Sequence, residues 1–110
     1  NIEQEFYLCE NFESMKALSP KEVHLAQEAK KDLLLVDIRE PYEFEDGAIG
    51  LNIPLDEVLD SIAKISKTKQ VVIYCKTGKR ATAIIYMLEK LHGYKNLYNL
   101  KGGFTSYQDS

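Results

Sequence analysis

Two short apolar runs constrain this chain more than any other feature. Leu33-Leu34-Leu35-Val36-Asp37-Ile38 and Val71-Val72-Ile73-Tyr74 show no alternation of polar and apolar residues. A strand with one wet face alternates with a period of two. A run that is apolar at successive positions suits a strand covered on both faces, as in a parallel sheet. Parallel neighbours need long crossover connections, usually helical, and helical patterns lie where those crossovers must run. Ser19, Pro20 and Glu22 read as the N-cap, first position and first-turn acid of a helix reaching about Lys30 or Lys31. Asp56 is expected to cap a second helix with Val58, Leu59, Ile62 and Ile65 on its apolar face. Ala81, Ile84, Ile85, Leu88 and Leu91 fall at helical spacing, and Ala83 and Met87 add a second apolar side. That pattern predicts a centrally buried helix, ended by Gly93.

Met15 to Leu18, Leu51 to Pro54 and Leu97 to Leu100 are read as short extended pieces. Pro41 opens a short turn or helix through Glu45, which Asp46-Gly47 breaks. Gly102-Gly103 leads into a final short helix, Phe104 to Tyr107. With right-handed crossovers, this alternation predicts an α/β fold: a central parallel sheet of about five short strands with helices on both faces. At 110 residues the chain is read as one domain, spanning residues 14–110, preceded by an acidic, aromatic lead-in or linker at 1–13.

A net charge of −3 without a basic stripe argues against nucleic acid as the main partner. No apolar run approaches the length of a membrane span. The two cysteines, Cys9 and Cys75, fit neither a disulfide framework nor a zinc pattern. They suit a reducing compartment, so a cytoplasmic location is expected. No signal peptide is recognisable. The chain opens on Asn1 rather than Met, which suggests a piece of a longer polypeptide or a processed product.

Chemistry is expected at Cys75. In open α/β sheets ligands sit beyond the carboxyl ends of the strands. Cys75 stands there, between the clearest strand and the clearest helix. The loop Cys75-Lys76-Thr77-Gly78-Lys79-Arg80 is short, so its amides and the helix N-terminus should converge near the sulfur and attract an anion. Helix starts favour acids, yet this one carries Lys76, Lys79 and Arg80. Such a break in local preference often marks a functional site. A Cys75 thiolate, favoured beside cations at a helix start, or a persulfide would satisfy it. The competing reading makes Cys75 an inert core residue.

Three segments together resemble the rhodanese family over about Met15 to Tyr107. They are Val36-Asp37-Ile38-Arg39-Glu40-Pro41-Tyr42-Glu43-Phe44, the Cys75 loop closed by Arg80, and Asn99-Leu100-Lys101-Gly102-Gly103-Phe104. The resemblance implies a rhodanese-like fold and a sulfurtransferase. Cys75 would be the nucleophile and sulfur carrier, and the loop from Lys76 through Thr77, Gly78 and Lys79 to Arg80 would bind the persulfide. Arg80 would steady the loop or the incoming anion. Asp37 and Arg39 would support the architecture, Arg39 by pairing with Glu43. The family's phosphatase branch has a longer loop; here only Lys76, Thr77, Gly78 and Lys79 separate Cys75 from Arg80, which resembles the sulfur-transferring branch. The short turn Gly47 to Asn52 lacks the family's usual His, and Tyr107 stands where a Trp is frequent. That turn resembles the rhodanese domains fused to adenylyltransferases of molybdopterin and thiamine synthesis, which pass sulfur to a ubiquitin-like carrier protein.

The implied partners are a small anionic sulfur donor such as thiosulfate or a persulfide protein, with a ubiquitin-like sulfur-carrier protein as a further candidate. No metal or organic cofactor is implied. Other readings are a phosphatase or arsenate reductase using the same thiolate, a non-catalytic binding module, and a redox thiol with Cys9 as partner. Cys9 reads more simply as a bystander. His24 reads as solvated, His92 as a helix C-terminal cation, and Tyr42, Tyr74, Tyr86, Tyr94 and Tyr98 as core or rim aromatics. The acids Glu40, Glu43, Glu45 and Asp46 read as an exposed turn.

Overall fold

A computed structural model describes residues 15–110. The expected lead-in at 1–13, with Cys9, lies outside them. Among the described residues five strands form one sheet: β1 (Ala17–Leu18), β2 (Leu33–Asp37), β3 (Leu51–Asn52), β4 (Gln70–Tyr74) and β5 (Leu97–Leu100). Their order is β1-β5-β4-β2-β3, and every pair is parallel. The two non-alternating runs are the central neighbours β2 and β4, in register from Leu33 against Gln70 to Asp37 against Tyr74.

Alternate residues of these strands feed two cores, as a period-two backbone requires. Val36, Val71, Ile73 and Cys75 point to one face. There they pack under α3 (Lys79–His92), which contributes Ala81, Ile84, Ile85 and Leu88. Leu35, Val72 and Tyr74 point to the other face. They meet Val23 of α1 (Pro20–Glu28) and Phe104 of α4 (Gly103–Gln108). The helix α2 (Pro41–Glu45) follows β2 directly at the carboxyl end of the sheet.

Local chemistry explains the boundaries. Ser19 and Glu22 cap α1 reciprocally: each side chain accepts from the other's backbone N–H, at 3.1 and 2.9 Å. The helix gives way at Ala29, short of the expected Lys30 or Lys31, and Lys30 takes φ 54°. Gly93 closes α3 in the left-handed region.

Two expectations are corrected. Asp56 caps no α-helix; the segment makes 3-10 turns at Leu55–Glu57 and Leu59–Lys64, with no side-chain cap and a non-helical Ser61. These turns bury Val58 and Ile65 and leave Leu59 exposed. Short tight turns suffice for a connection that buries Val58 and Ile65 fully and Leu55 and Ile62 only in part. Helix α3 is not buried all round. Ala83, Met87 and Leu91 face outward, because α3 lies on the sheet with a single face.

Leu88 is fully buried beneath that face. Leu88→Ala should lower unfolding stability by about 2–5 kcal/mol through lost burial and a residual cavity. Urea titration should show a lower midpoint at an unchanged slope.

Candidate active site

The site forms where β4 passes into α3. Cys75 follows the last residue of β4, and Gly78, at φ 106°, is the N-cap of α3. The left-handed turn at Gly78 swings the chain back over the cysteine. The Cys75 Sγ then accepts hydrogen bonds from the Gly78 amide at 3.1 Å and the Ala81 amide at 3.4 Å. Cys75 is a free thiol with 1% of its surface exposed. Lys76, Thr77 and Lys79 are exposed, while Gly78 is buried. The loop is braced from within: Thr82 donates its hydroxyl to the Gly78 carbonyl at 2.8 Å, and the Asn99 amide donates to Thr82 Oγ1 at 2.8 Å.

A second brace comes from the end of the chain. The first-turn amides of α4, at Phe104 and Thr105, donate to the carbonyls of Cys75 (2.8 Å) and Lys76 (3.1 Å). This needs a glycine at 103. A Cβ there would stand 2.4 Å from the Lys76 carbonyl oxygen and 2.7 Å from that of Cys75. Gly103 also takes φ +65°.

Asp37 and Arg39 form a buried pair beneath the site, 0% and 5% exposed. Arg39 Nε lies 3.0 Å from both Asp37 carboxylate oxygens, and Nη2 lies 2.7 Å from Oδ2. Nη2 also donates to the Gly47 carbonyl at 2.6 Å. The guanidinium stacks 4.4 Å from the centre of the Phe104 ring. Burial disfavours the Arg39 charge, but hydrogen bonds and attraction from Asp37 outweigh it and leave the pKa raised. The Asn52 side chain ties the ends together by donating to the carbonyls of Asp37 and Arg39, both at 3.1 Å. Burial pushes the Tyr74 phenol up, and its oxygen accepts from the Ile49 amide.

The expected Arg39–Glu43 pair does not form, because Asp37 two residues away already saturates Arg39. Glu43 instead pairs with Arg80, at 3.2 and 3.3 Å through both carboxylate oxygens. The Arg80 hydrogen bonds hold the Glu43 carboxyl below the ordinary carboxylate range, against the opposing pull of burial. Arg80 is in turn held raised, first by Glu43 and more weakly by Cys75. Beside this pair opens a cleft of about 430 Å³, lined by Tyr42, Glu43, Asp46, Lys76 and Thr105 among others.

Sequence reading expected loop and helix-start amides at the sulfur, as Gly78 and Ala81 provide, but missed the Glu43–Arg80 pair and the α4 amides. A backbone donor leaves no residue-type signal. The Gly102-Gly103 pair was the one visible trace of the α4 contact. His24 was read as solvated, yet it stacks on Tyr107 at 4.3 Å and shares a hydrogen bond with Ser110.

A strand-end cysteine cradled by the amides of the following helix, on an all-parallel sheet among the described residues, marks a compact α/β domain with a candidate thiol site. The chain belongs to the rhodanese-like domain family, whose model matches residues 19–110. It is 38% identical over 80 residues to a sulfurtransferase of Allochromatium vinosum, covering 70% of this chain and 73% of that protein. It is 35% identical over 82 residues to a tRNA uridine(34) hydroxylase of Pelagibacter ubique, covering 70% of this chain and 27% of that one. The matched segments take up 66% and 59% of related Schizosaccharomyces pombe and Bacillus subtilis proteins. Among solved structures, reduced Bacillus anthracis CoADR-RHD superposes with a TM-score of 0.75 at 33% identity, covering 89% of this chain and 17% of that one. At the level of the family, then, this is a sulfurtransferase-type domain. Among the described residues no helix is long and apolar enough to cross a membrane.

Two outcomes follow from the geometry. Asp37→Asn leaves the buried Arg39 charge without its counter-ion, and should cost about 3–5 kcal/mol in denaturant titration. Because the folded Glu43 carboxyl is held below its unfolded value, its contribution to stability is present above the unfolded pKa of about 4.3 and is lost as pH falls through the folded one. The stability difference between the native chain and Glu43→Gln should therefore shrink below about pH 4 in a pH series of unfolding curves.

Proposed function

We propose that the domain carries sulfane sulfur as a persulfide on Cys75. The observation that supports this most directly is the pair of amides, Gly78 and Ala81, already aimed at Sγ. Fixed N–H donors around a sulfur stabilise negative charge on it without having to reorganise. The Cys75 thiolate attacks the outer sulfur of a donor. With thiosulfate, the new S–S bond forms as the old one breaks, sulfite leaves with the electron pair, and Cys75–S–S⁻ remains. A nucleophilic acceptor then takes the outer sulfur and returns the thiolate. Arg80 and the loop Lys76, Thr77, Gly78 and Lys79 surround the transferred sulfur; Asp37 and Arg39 hold the loop's support. No metal or organic cofactor is needed for either step.

The donor in this reading is a small sulfur anion or a protein persulfide, and a ubiquitin-like carrier is a candidate acceptor. A free thiol as sulfur carrier suits a reducing compartment such as the cytoplasm.

Intact-mass measurement after exposure to a sulfur donor tests the reading. The native chain should gain about 32 Da, one sulfur, removable by reductant, and Cys75→Ser should gain nothing. No gain with thiosulfate or with a persulfidated protein would leave a non-catalytic binding module as the better account.

A further inference from the structure

The cations of the Cys75 loop do not act alone, because α2 brings an acid to them. Glu43, with its side chain only 15% exposed, grips Arg80 through both carboxylate oxygens. Arg80 directly precedes Ala81, whose amide bonds the Cys75 sulfur at 3.4 Å, so its charge stands close to that sulfur. Lys76 and Lys79 extend into solvent, where water and salt screen them. Arg39 is committed to Asp37. Asp46 shares the cleft with Glu43 and Lys76, and Glu40 approaches Glu43 only through its backbone amide, at 3.0 Å. The least screened charges beside the sulfur are therefore a matched pair rather than a bare cation.

A donor that brings two negative charges finds Arg80 already neutralised by Glu43, and forgoes the attraction that a bare Arg80 would give it. The penalty scales with the donor's charge. We propose that Glu43 is a specificity-determining residue that turns the site toward carbon-bound persulfides, carrying one charge or none at the reacting end, and away from small dianions such as thiosulfate. This rests on the Cys75 persulfide reading and narrows its donor. The favoured step is Cys75–S⁻ attacking the outer sulfur of R–S–SH: a new S–S bond forms as the S–S bond of the donor breaks, R–S⁻ leaves with the electron pair, and Cys75–S–SH forms with the proton retained. The R group is a protein or a small thiol carrier.

Glu43→Gln tests this, because the amide keeps an acceptor oxygen for Arg80 and for the Glu40 amide while removing the charge. Sulfur loading of Cys75 is timed by intact mass at low salt with dianionic thiosulfate and with monoanionic benzenethiosulfonate. The substitution should raise kcat/KM about tenfold for thiosulfate and about threefold for the monoanion, since a Coulombic penalty follows donor charge. The gain should fade with added salt. Asp46→Asn, at an exposed position, should act in the same order but more weakly, and guards against a Glu43 variant that fails to fold. Equal factors for the two donors, or a fall for both, would mean that Glu43 merely holds Arg80 in place, and the selectivity idea would be wrong. If neither donor nor a persulfidated protein loads either chain, the Cys75 reading itself fails and the selectivity question does not arise.

Discussion

Asp37 and Arg39 place two opposite charges inside a small core, and the loop end of the sheet is arranged around them. Desolvating such a pair is costly unless the remaining donors and acceptors are satisfied. Here they are. The Arg39 backbone amide and guanidinium both bond Asp37, and the guanidinium also takes the Gly47 carbonyl. Its flat face covers Phe104. One ion pair thus fixes the end of β2, the turn before β3 and the start of α4. The amides of that same helix start hold the backbone of Cys75 and Lys76. The cysteine loop is thus positioned through the start of α4, which the charge pair holds in place.

The two glycines nearest this arrangement serve different ends. Gly78 supplies a left-handed bend in open space, with only the Asn99 amide nitrogen near where a Cβ would stand. Gly103 supplies room, since any side chain would collide with the carbonyls its helix must approach. Backbone freedom shapes the cradle, and backbone proximity locks it.

Most of the fold was legible in the residue pattern. The non-alternating runs at 33–38 and 71–74 reported a sheet covered on both faces, and β2 and β4 are its central strands. Ser19 with Glu22 marked a real helix start. Legibility ended where apolar residues serve something other than a core. Met87 and Leu91 made α3 look buried all round, although hydrophobic spacing does not reveal how many faces have a neighbour. In the site, Cys75 and its loop could be read because strand, glycine and cations lie together in sequence. The Glu43–Arg80 pair could not, since its members are 37 positions apart and Arg39 was an equally plausible partner by residue type.

The sheet order has a further consequence. Among the described residues its two outermost strands, β1 and β3, are two residues long each, and the long strands sit in the middle. Edges this short offer almost no ladder of unpaired amides and carbonyls on which another chain's strand could grow. Such edges, among the described residues, disfavour edge-to-edge stacking into aggregates.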